Sequence, residues 1–133
     1  MISIPILDDN YQSMTDFVHG RPLVRVNAWI NGDLVLPHGL GLIDTGSWSS
    51  FIGQNKIGNN IPDHYIPTHH GGGDGMTGAF QYGRLQVENF RPIDLPLTIF
   101  EGRHFDVIIG RDILRFCSLV MDHAAQIYTL DMR

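Results

Sequence analysis

The chain has 133 residues, of which 43% are hydrophobic and 17% charged, a composition that indicates a globular domain rather than a disordered segment. Its net charge of −5, with the basic residues scattered, argues against a nucleic acid or an anionic membrane as partner. No apolar run approaches the roughly 20 residues of a membrane-spanning helix.

The N-terminal sequence MISIPILDDNYQ lacks a basic segment followed by a long apolar run, so it does not predict a secretory signal. Cys117 is the single cysteine, which excludes a disulfide within the chain and favours a reducing compartment. We therefore expect a cytoplasmic protein with one domain over residues 1–133, in which residues 1–20 could form an N-terminal arm.

The first predicted element is a β-hairpin. The segment Pro22–Ile30 alternates and is rich in branched and aromatic residues, and Asn31-Gly32 then supplies the positive φ angles of a type I′ turn. A second run, LVLPHGLGLID, contains a proline and two glycines, which predicts a bulged or edge strand that bends toward Asp44.

A second hairpin is predicted in the middle of the chain, after a loop over residues 53–63. Two extended runs between Tyr65 and Val87 flank the segment HHGGGDG. Its four glycines predict a flexible tip, since glycine adopts conformations that other residues avoid; they are Gly71, Gly72, Gly73 and Gly75.

The C-terminal third alternates short strands with turn signals. LPLTIFEG and FDVIIG predict strands, RDILRF predicts one helical turn, and SLVMD pairs with QIYTL across a turn at 122–125. Short strands of this kind predict an all-β fold, a closed barrel or a sandwich, with one small helix.

One carboxylate stands out, in the stretch LIDTGSWSSFI from Leu42 to Ile52. Asp44 lies in the tripeptide Asp-Thr-Gly, between an apolar run and a cluster of hydroxyl residues, and the tripeptide occurs once. About sixty residues later comes VIIG, Val107–Gly110, followed by the short apolar helix. In this order and spacing, the two segments resemble the aspartic proteases, most closely their single-domain, retropepsin-like branch.

The resemblance covers about Leu23 to Leu130 and implies a retropepsin-like closed barrel with a glycine-rich flap hairpin and one short C-terminal helix. It implies an aspartic endopeptidase, a hydrolase of polypeptides, in which Asp44, Thr45 and Gly46 form the catalytic loop. Substrate contacts are expected from Ser47 and Trp48 beside the loop and from Gly72 and Gly73 in the flap. Neither a metal nor an organic cofactor is implied.

The chemistry requires a second acid. Two carboxylates about 3 Å apart cannot both ionise, so the pair keeps one proton and offers a base and an acid together. The other aspartates are poor partners because they lie in turns, in the glycine tip or beside the IIG segment; they are Asp74, Asp94, Asp106, Asp112 and Asp122. The sequence therefore predicts a homodimer that brings two copies of Asp44 together.

Two residues depart from the retroviral pattern. Trp48 stands where retroviral members commonly carry an acid that pairs with the arginine after the IIG segment, here Arg111. Ser47 replaces an alanine, and we expect its hydroxyl to hydrogen-bond Asp44.

Three other interpretations of the sequence compete with an aspartic endopeptidase. A metal site could use His64, His69 and His70, but adjacent histidines of a strand point to opposite faces. A serine hydrolase would need the G-x-S-x-G pattern, which the hydroxyl cluster after Asp44 lacks. A catalytically silent dimerisation or peptide-binding module of the same fold remains open, with the N-terminal arm as an inhibitory pro-segment across the cleft.

Overall fold

The structure, a computed structural model, describes residues 1–57, 64–68, 76–100 and 105–132. Within these residues it has ten β-strands, a 3-10 turn over Gln54–Lys56 and one α-helix, α1, over Arg111–Leu114. The strands are β1 (Ile2–Leu7), β2 (Arg21–Ile30), β3 (Asp33–Ile43), β4 (Phe51–Gly53), β5 (His64–Thr68), β6 (Met76–Val87), β7 (Ile93–Phe100), β8 (Val107–Ile109), β9 (Cys117–Asp122) and β10 (Ile127–Met132).

Six of the described strands close into a barrel. Along the sheet the order is β5-β6-β7-β4-β8-β3-β2-β1-β10-β9, and an additional pairing of β6 with β2 closes the ring. Alternate residues of these strands point inward and form an aliphatic core. Its fully buried members include Val24, Val26, Ile30, Ile52, Leu85, Val87, Leu97 and Ile109.

The predicted N-terminal hairpin is confirmed. Asn31 and Gly32 connect β2 to β3 with φ angles of 53° and 83°, which match a type I′ turn. The pairing of β2 with β3 shifts register on both sides of Ala28, so the strand pair is bulged as predicted. Of the two predicted possibilities, a bulged or an edge strand, the structure shows the first, because β3 lies between β2 and β8.

The N-terminal segment begins as a strand that the sequence patterns did not identify. β1 lies between β2 and β10, and its Ile4 and Ile6 are buried in the core. Residues Ile2–Leu7 are thus part of the sheet in this structure, instead of an arm across a cleft. The segment 8–20 forms the connection from β1 to β2.

This connection carries an ion pair, between Asp16 and the Nδ1 atom of His19. The hydrogen bond to Asp16 raises the pKa of His19, and the same bond lowers the pKa of Asp16. Because the folded-state pKa of His19 is raised, the stabilisation from its charge is complete below the unfolded pKa and disappears as the pH rises through the folded one. The contribution of Asp16 disappears in the opposite direction, as the pH falls through its lowered pKa.

We expect Asp16→Asn to lower the pKa of His19, because the replacement removes the charge that favours the imidazolium. An NMR titration of the histidine ring protons measures this directly. Asp9→Asn is the matched control, since Asp9 lies in the same connection but pairs with Arg21, at 2.9 Å. An unchanged His19 pKa in Asp16→Asn would contradict the pairing.

The C-terminal elements match the predicted order. α1 follows β8 directly and buries Ile113, and β9 and β10 form an antiparallel hairpin. Asp122 closes its turn by accepting a hydrogen bond from the backbone N–H of Ala125 at 3.1 Å. Cys117 is half-buried against the core, and this burial raises the pKa of its thiol.

The predicted all-β fold class is therefore confirmed: the described residues form a closed barrel that carries one short helix. In the part of the chain that the structure describes, no helix is long and apolar enough to cross a membrane.

Candidate active site

Asp44 lies directly after β3, where the barrel wall ends. β3 pairs in parallel with β8 through Leu42 with Ile108 and Ile43 with Ile109, so the apolar residues of both segments fix the position of the loop. The backbone N–H of Asp44 donates to the carbonyl of Ile109 at 2.9 Å. The IIG segment thus supports the Asp-Thr-Gly loop.

The loop holds the carboxylate by its own backbone. Oδ1 of Asp44 accepts a hydrogen bond from the N–H of Gly46 at 2.9 Å, and the N–H of Ser47 donates to the carbonyl of Asp44 at 3.2 Å. Asp44 is half-buried, whereas Thr45 and Gly46 are exposed in the single chain. The carboxylate is therefore both oriented and within reach of a partner that approaches the loop from outside.

The predicted bond between Ser47 and Asp44 was wrong. The Ser47 hydroxyl donates instead to the carbonyl of Ser49 at 2.7 Å, and a hydroxyl has a single proton to donate. The physical reason is local, since the turn after Gly46 places the Ser49 carbonyl next to this side chain. Ser47 therefore stabilises the turn that leads to Ser50.

Trp48 is the most exposed large apolar residue of the loop, with 63% of its surface accessible. Its carbonyl accepts the N–H of Asp112 at 3.2 Å, and the carbonyl of Ser47 accepts the N–H of Arg111 at 2.8 Å. Within the described residues Arg111 forms no ion pair, which agrees with the loss of an acidic partner at position 48. The ring is free to contact a substrate or a second subunit.

A buried polar cluster joins the loop to α1, and sequence patterns missed it. The N–H and hydroxyl of Ser50 donate to the two carboxylate oxygens of Asp112 at 2.9 and 2.6 Å. The Ser50 Oγ also accepts the N–H of Gly110 at 2.9 Å, and Ser50 is fully buried. The available signal was a hydroxyl residue directly before the apolar β4.

We expect Ser50→Ala to destabilise the fold by about 2 kcal/mol, since it removes the hydroxyl that donates to Oδ1 of Asp112 and that accepts the buried N–H of Gly110. Chemical denaturation measures the change in the free energy of unfolding. Ser49→Ala is the matched control and should change it by less than about 0.5 kcal/mol. Ser49 contributes to the loop through its carbonyl. Equal effects of the two replacements would contradict the role of the cluster.

The other described aspartates of the sequence survey have structural roles. Asp106 accepts the N–H of Leu40 at 2.8 Å, and Lys56 lies 3.3 Å from its second oxygen. Asp94 lies in β7, instead of the loop predicted for it, and pairs with Arg84 at 2.7 Å. Asp112 accepts hydrogen bonds from Ser50, and Asp122 accepts one from Ala125 in the β9–β10 turn. That the second acid comes from another copy of Asp44 stays a prediction.

Several sequence predictions fall on residues 69–75 of the flap tip. Gly72, Gly73, His69, His70 and Asp74 lie outside the described residues, and His64 starts β5. The backbone confirms the two flanking strands, because β5 pairs antiparallel with β6. Among the described residues no group of His, Cys, Asp or Glu could hold a metal ion.

A pocket of about 720 Å³ lies apart from the Asp44 loop, and no residue of the loop lines it. Its walls are Trp29, Asn31, Gly32, Tyr82, Gly83, Arg84, Asp94, Leu95 and Pro96.

No protein-family model matches the chain, and no curated protein matches it. Among solved structures, the chain is similar to EIAV protease in complex with the inhibitor HBY-793, with 19% identity and a TM-score of 0.49 over 77% of this chain and 92% of that one. It is also similar to the retroviral protease-like domain of Ddi1 from Leishmania major, with 18% identity and a TM-score of 0.47 over 82% of this chain and 88% of that one. Both TM-scores are below 0.5 and both identities are below 20%, so neither similarity supports a conclusion about the chemistry of this chain.

Proposed function

We propose that the protein is an aspartic endopeptidase whose site is assembled from two copies of the chain. The observation that carries the proposal is the placement of Asp44, which is half-buried directly after β3. Its Oδ1 accepts the N–H of Gly46, and its own backbone N–H donates to Ile109 of the IIG segment. A carboxylate fixed in this way at the surface can face an identical carboxylate across a two-fold axis.

The proposed reaction is the hydrolysis of a peptide bond by water. The ionised carboxylate of the pair takes a proton from water, and the protonated one donates its proton to the carbonyl oxygen as the water oxygen bonds to the carbon. Collapse of the tetrahedral intermediate breaks the C–N bond and transfers a proton to the leaving amine. No covalent intermediate forms on the protein, and no metal or organic cofactor takes part.

The residues around Asp44 have proposed roles in the same site. Thr45 contacts the second loop, and Gly46 allows the substrate backbone to approach. A Cβ at Gly46 would also crowd the carboxylate, since it would lie 3.2 Å from Oδ1 of Asp44. Ser47 and Trp48 line the cleft, and Gly72 and Gly73 of the flap hairpin cover the peptide. The polypeptide would add to the site as an extended strand.

A non-catalytic module of the same fold is the second candidate. The observation that favours it is Trp48, whose exposed ring replaces the acid that would pair with Arg111. An apolar ring beside the cleft suits the binding of a peptide as well as its hydrolysis. In that function the two chains would bind an extended segment without cleaving it.

Incubation with an unfolded protein substrate between pH 4 and 7 tests the two functions. For the endopeptidase we expect cleavage by the wild-type chain that a pepstatin-type inhibitor blocks and that Asp44→Asn lacks. Circular dichroism of the variant confirms that it is folded. Equal inactivity of both folded proteins, with retained binding of the substrate, would favour the binding module.

A further inference from the structure

The pocket of about 720 Å³ is built on three adjacent strands, β2, β6 and β7. Trp29 of β2 lies opposite Arg84 of β6, which lies opposite Asp94 of β7, and Tyr82 of β6 lies opposite Pro96 of β7. Their neighbours along the strands are buried; they are Ile30, Gln81, Leu85, Leu95 and Leu97. Since successive residues of a strand point to opposite faces, the pocket residues stand on the outside of the barrel in two rows. Its volume is within the roughly 300–1,000 Å³ of pockets that bind ligands.

Aromatic rings and a proline form the apolar walls of the pocket. Tyr82 is 59% exposed, and its ring packs edge-to-face against that of Phe80 with the centroids 5.4 Å apart. Its orientation is therefore supported before a ligand arrives. Trp29 is partly exposed in the neighbouring row, and Pro96 lies beside Tyr82. Rigid side chains of this kind offer a large contact area at a small cost in conformational entropy.

The pocket is balanced in charge. Among the residues that form its walls, Arg84 and Asp94 alone are charged, and they pair with each other. Nε of Arg84 donates to Oδ1 of Asp94 at 2.7 Å, and a terminal nitrogen of the same guanidinium donates to Oδ2 at 3.4 Å. The pair leaves no net charge to attract an ion, so the pocket favours an uncharged ligand.

The polar groups of the pocket are mainly hydrogen-bond donors. The indole of Trp29 and the guanidinium can only donate, and the hydroxyl of Tyr82 has a proton to donate. The side-chain oxygen of Asn31 accepts from Nε2 of Gln81 at 3.4 Å, so its NH₂ group is the part that it offers to a ligand. The ion pair already uses both oxygens of its carboxylate. A matching ligand is therefore apolar, uncharged and rich in acceptors.

We propose that this pocket binds a proline-rich segment of another polypeptide in the polyproline II conformation. A run of prolines offers carbonyl oxygens and apolar rings but no N–H groups, which complements walls that are apolar and donate. An ordinary extended peptide brings one N–H group with each residue, and these walls have few acceptors for them. The polyproline conformation also exists before binding, so little entropy is lost when an aromatic-lined groove takes it up.

The proposal goes beyond the proposed function and does not depend on it. The pocket belongs to a single chain, so it is complete without a second copy. It also lies apart from the Asp44 loop, so a bound segment leaves that loop accessible.

The fluorescence of Trp29 measures binding. The chain has two tryptophans, so Trp48→Phe leaves Trp29 as the only one. In this background we expect an oligoproline peptide with blocked ends to change the emission and to saturate with a dissociation constant below about 1 mM. A glycine-serine peptide of the same length is the control and should leave the emission unchanged. Because the pocket is balanced in charge, added salt should change the dissociation constant by less than about two-fold.

Two variants in the same background test the walls and the donors separately. Tyr82→Ala removes one wall, and we expect at least a ten-fold rise in the dissociation constant. Tyr11→Ala is the matched control without effect, since Tyr11 is 51% exposed and lies outside the pocket. Asn31→Asp keeps a residue that a type I′ turn accepts, but its carboxylate repels the carbonyl oxygens of the peptide. We expect at least a three-fold rise for this variant, and circular dichroism shows whether each protein is folded.

Several results would overturn the proposal. They are an emission that does not respond to oligoproline, equal binding of the glycine-serine peptide, and binding that the folded variants leave intact. If Tyr82→Ala does not fold, Asn31→Asp decides alone. If the pocket variants dissociate a dimer in sedimentation while oligoproline does not bind, the occupant is a second copy of the chain and the proposal fails. None of these measurements uses cleavage, so a failure of the endopeptidase would not alter them.

Discussion

Asp44→Asn should abolish cleavage, and mixing this variant with the wild-type chain should inhibit the wild type. The amide cannot take the proton from water, so we expect a loss of roughly 10²- to 10⁴-fold or more in kcat/KM. Because one dimer needs two carboxylates, a mixed dimer should be as inactive as the variant dimer.

The mixing experiment measures the shared site. With equal amounts of the two chains and free exchange, about a quarter of the dimers carry two wild-type subunits. The activity per wild-type chain should then fall to about half of its unmixed value. Leu34→Ala is the control chain, because Leu34 lies ten residues before Asp44. A mixture of this variant with the wild-type chain should keep an activity proportional to the total dimer concentration. Activity strictly proportional to the wild-type chain in the Asp44→Asn mixture would show that each subunit works alone.

Gly110→Ala should destabilise the fold by about 3 kcal/mol and abolish cleavage. Gly110 has extended backbone angles, φ −95° and ψ −174°, so conformational strain is not the reason. A Cβ would lie 2.3 Å from the carbonyl oxygen of Ser49 and 3.1 Å from that of Ser47. These are backbone atoms of the catalytic loop, which cannot rotate away as a side chain would. The loop has to shift, and Asp44 with it.

Chemical denaturation and the cleavage assay measure both effects of Gly110→Ala. Gly32→Asn is a suitable control, because nothing lies within 4 Å of its Cβ position and asparagine tolerates its φ of 83°. We expect a cost of about 1 kcal/mol or less there, with activity retained. A Gly110→Ala protein as stable and as active as the wild type would contradict the packing of this loop.

Local patterns were sufficient to predict the N-terminal hairpin. The type I′ turn at Asn31-Gly32 depends on two adjacent residues that adopt positive φ. Asp44 and the IIG segment were singled out differently, by the resemblance of their order and spacing to a known family. The tripeptide Asp-Thr-Gly alone would have been a weak signal.

Long-range features could not be predicted. Ile2–Leu7 has an ordinary apolar pattern, and its place between β2 and β10 depends on residues near both ends of the chain. The bonds between Ser50 and Asp112 join residues 62 positions apart, and neither residue type by itself predicts burial with the other. The catalytic activity, the homodimer and the substrate contacts of Ser47, Trp48, Gly72 and Gly73 stay predictions.

The parallel pairing of β3 with β8 has a consequence for biosynthesis. The loop around Asp44 is complete only when Ile109, Gly110 and Asp112 have left the ribosome, because their backbone and side chains hold it in place. Loop closure over such a distance makes folding slow compared with local hairpin formation. A nascent chain that exposes Asp44 before these three residues have emerged therefore has an Asp44 loop without the bonds that hold it in place.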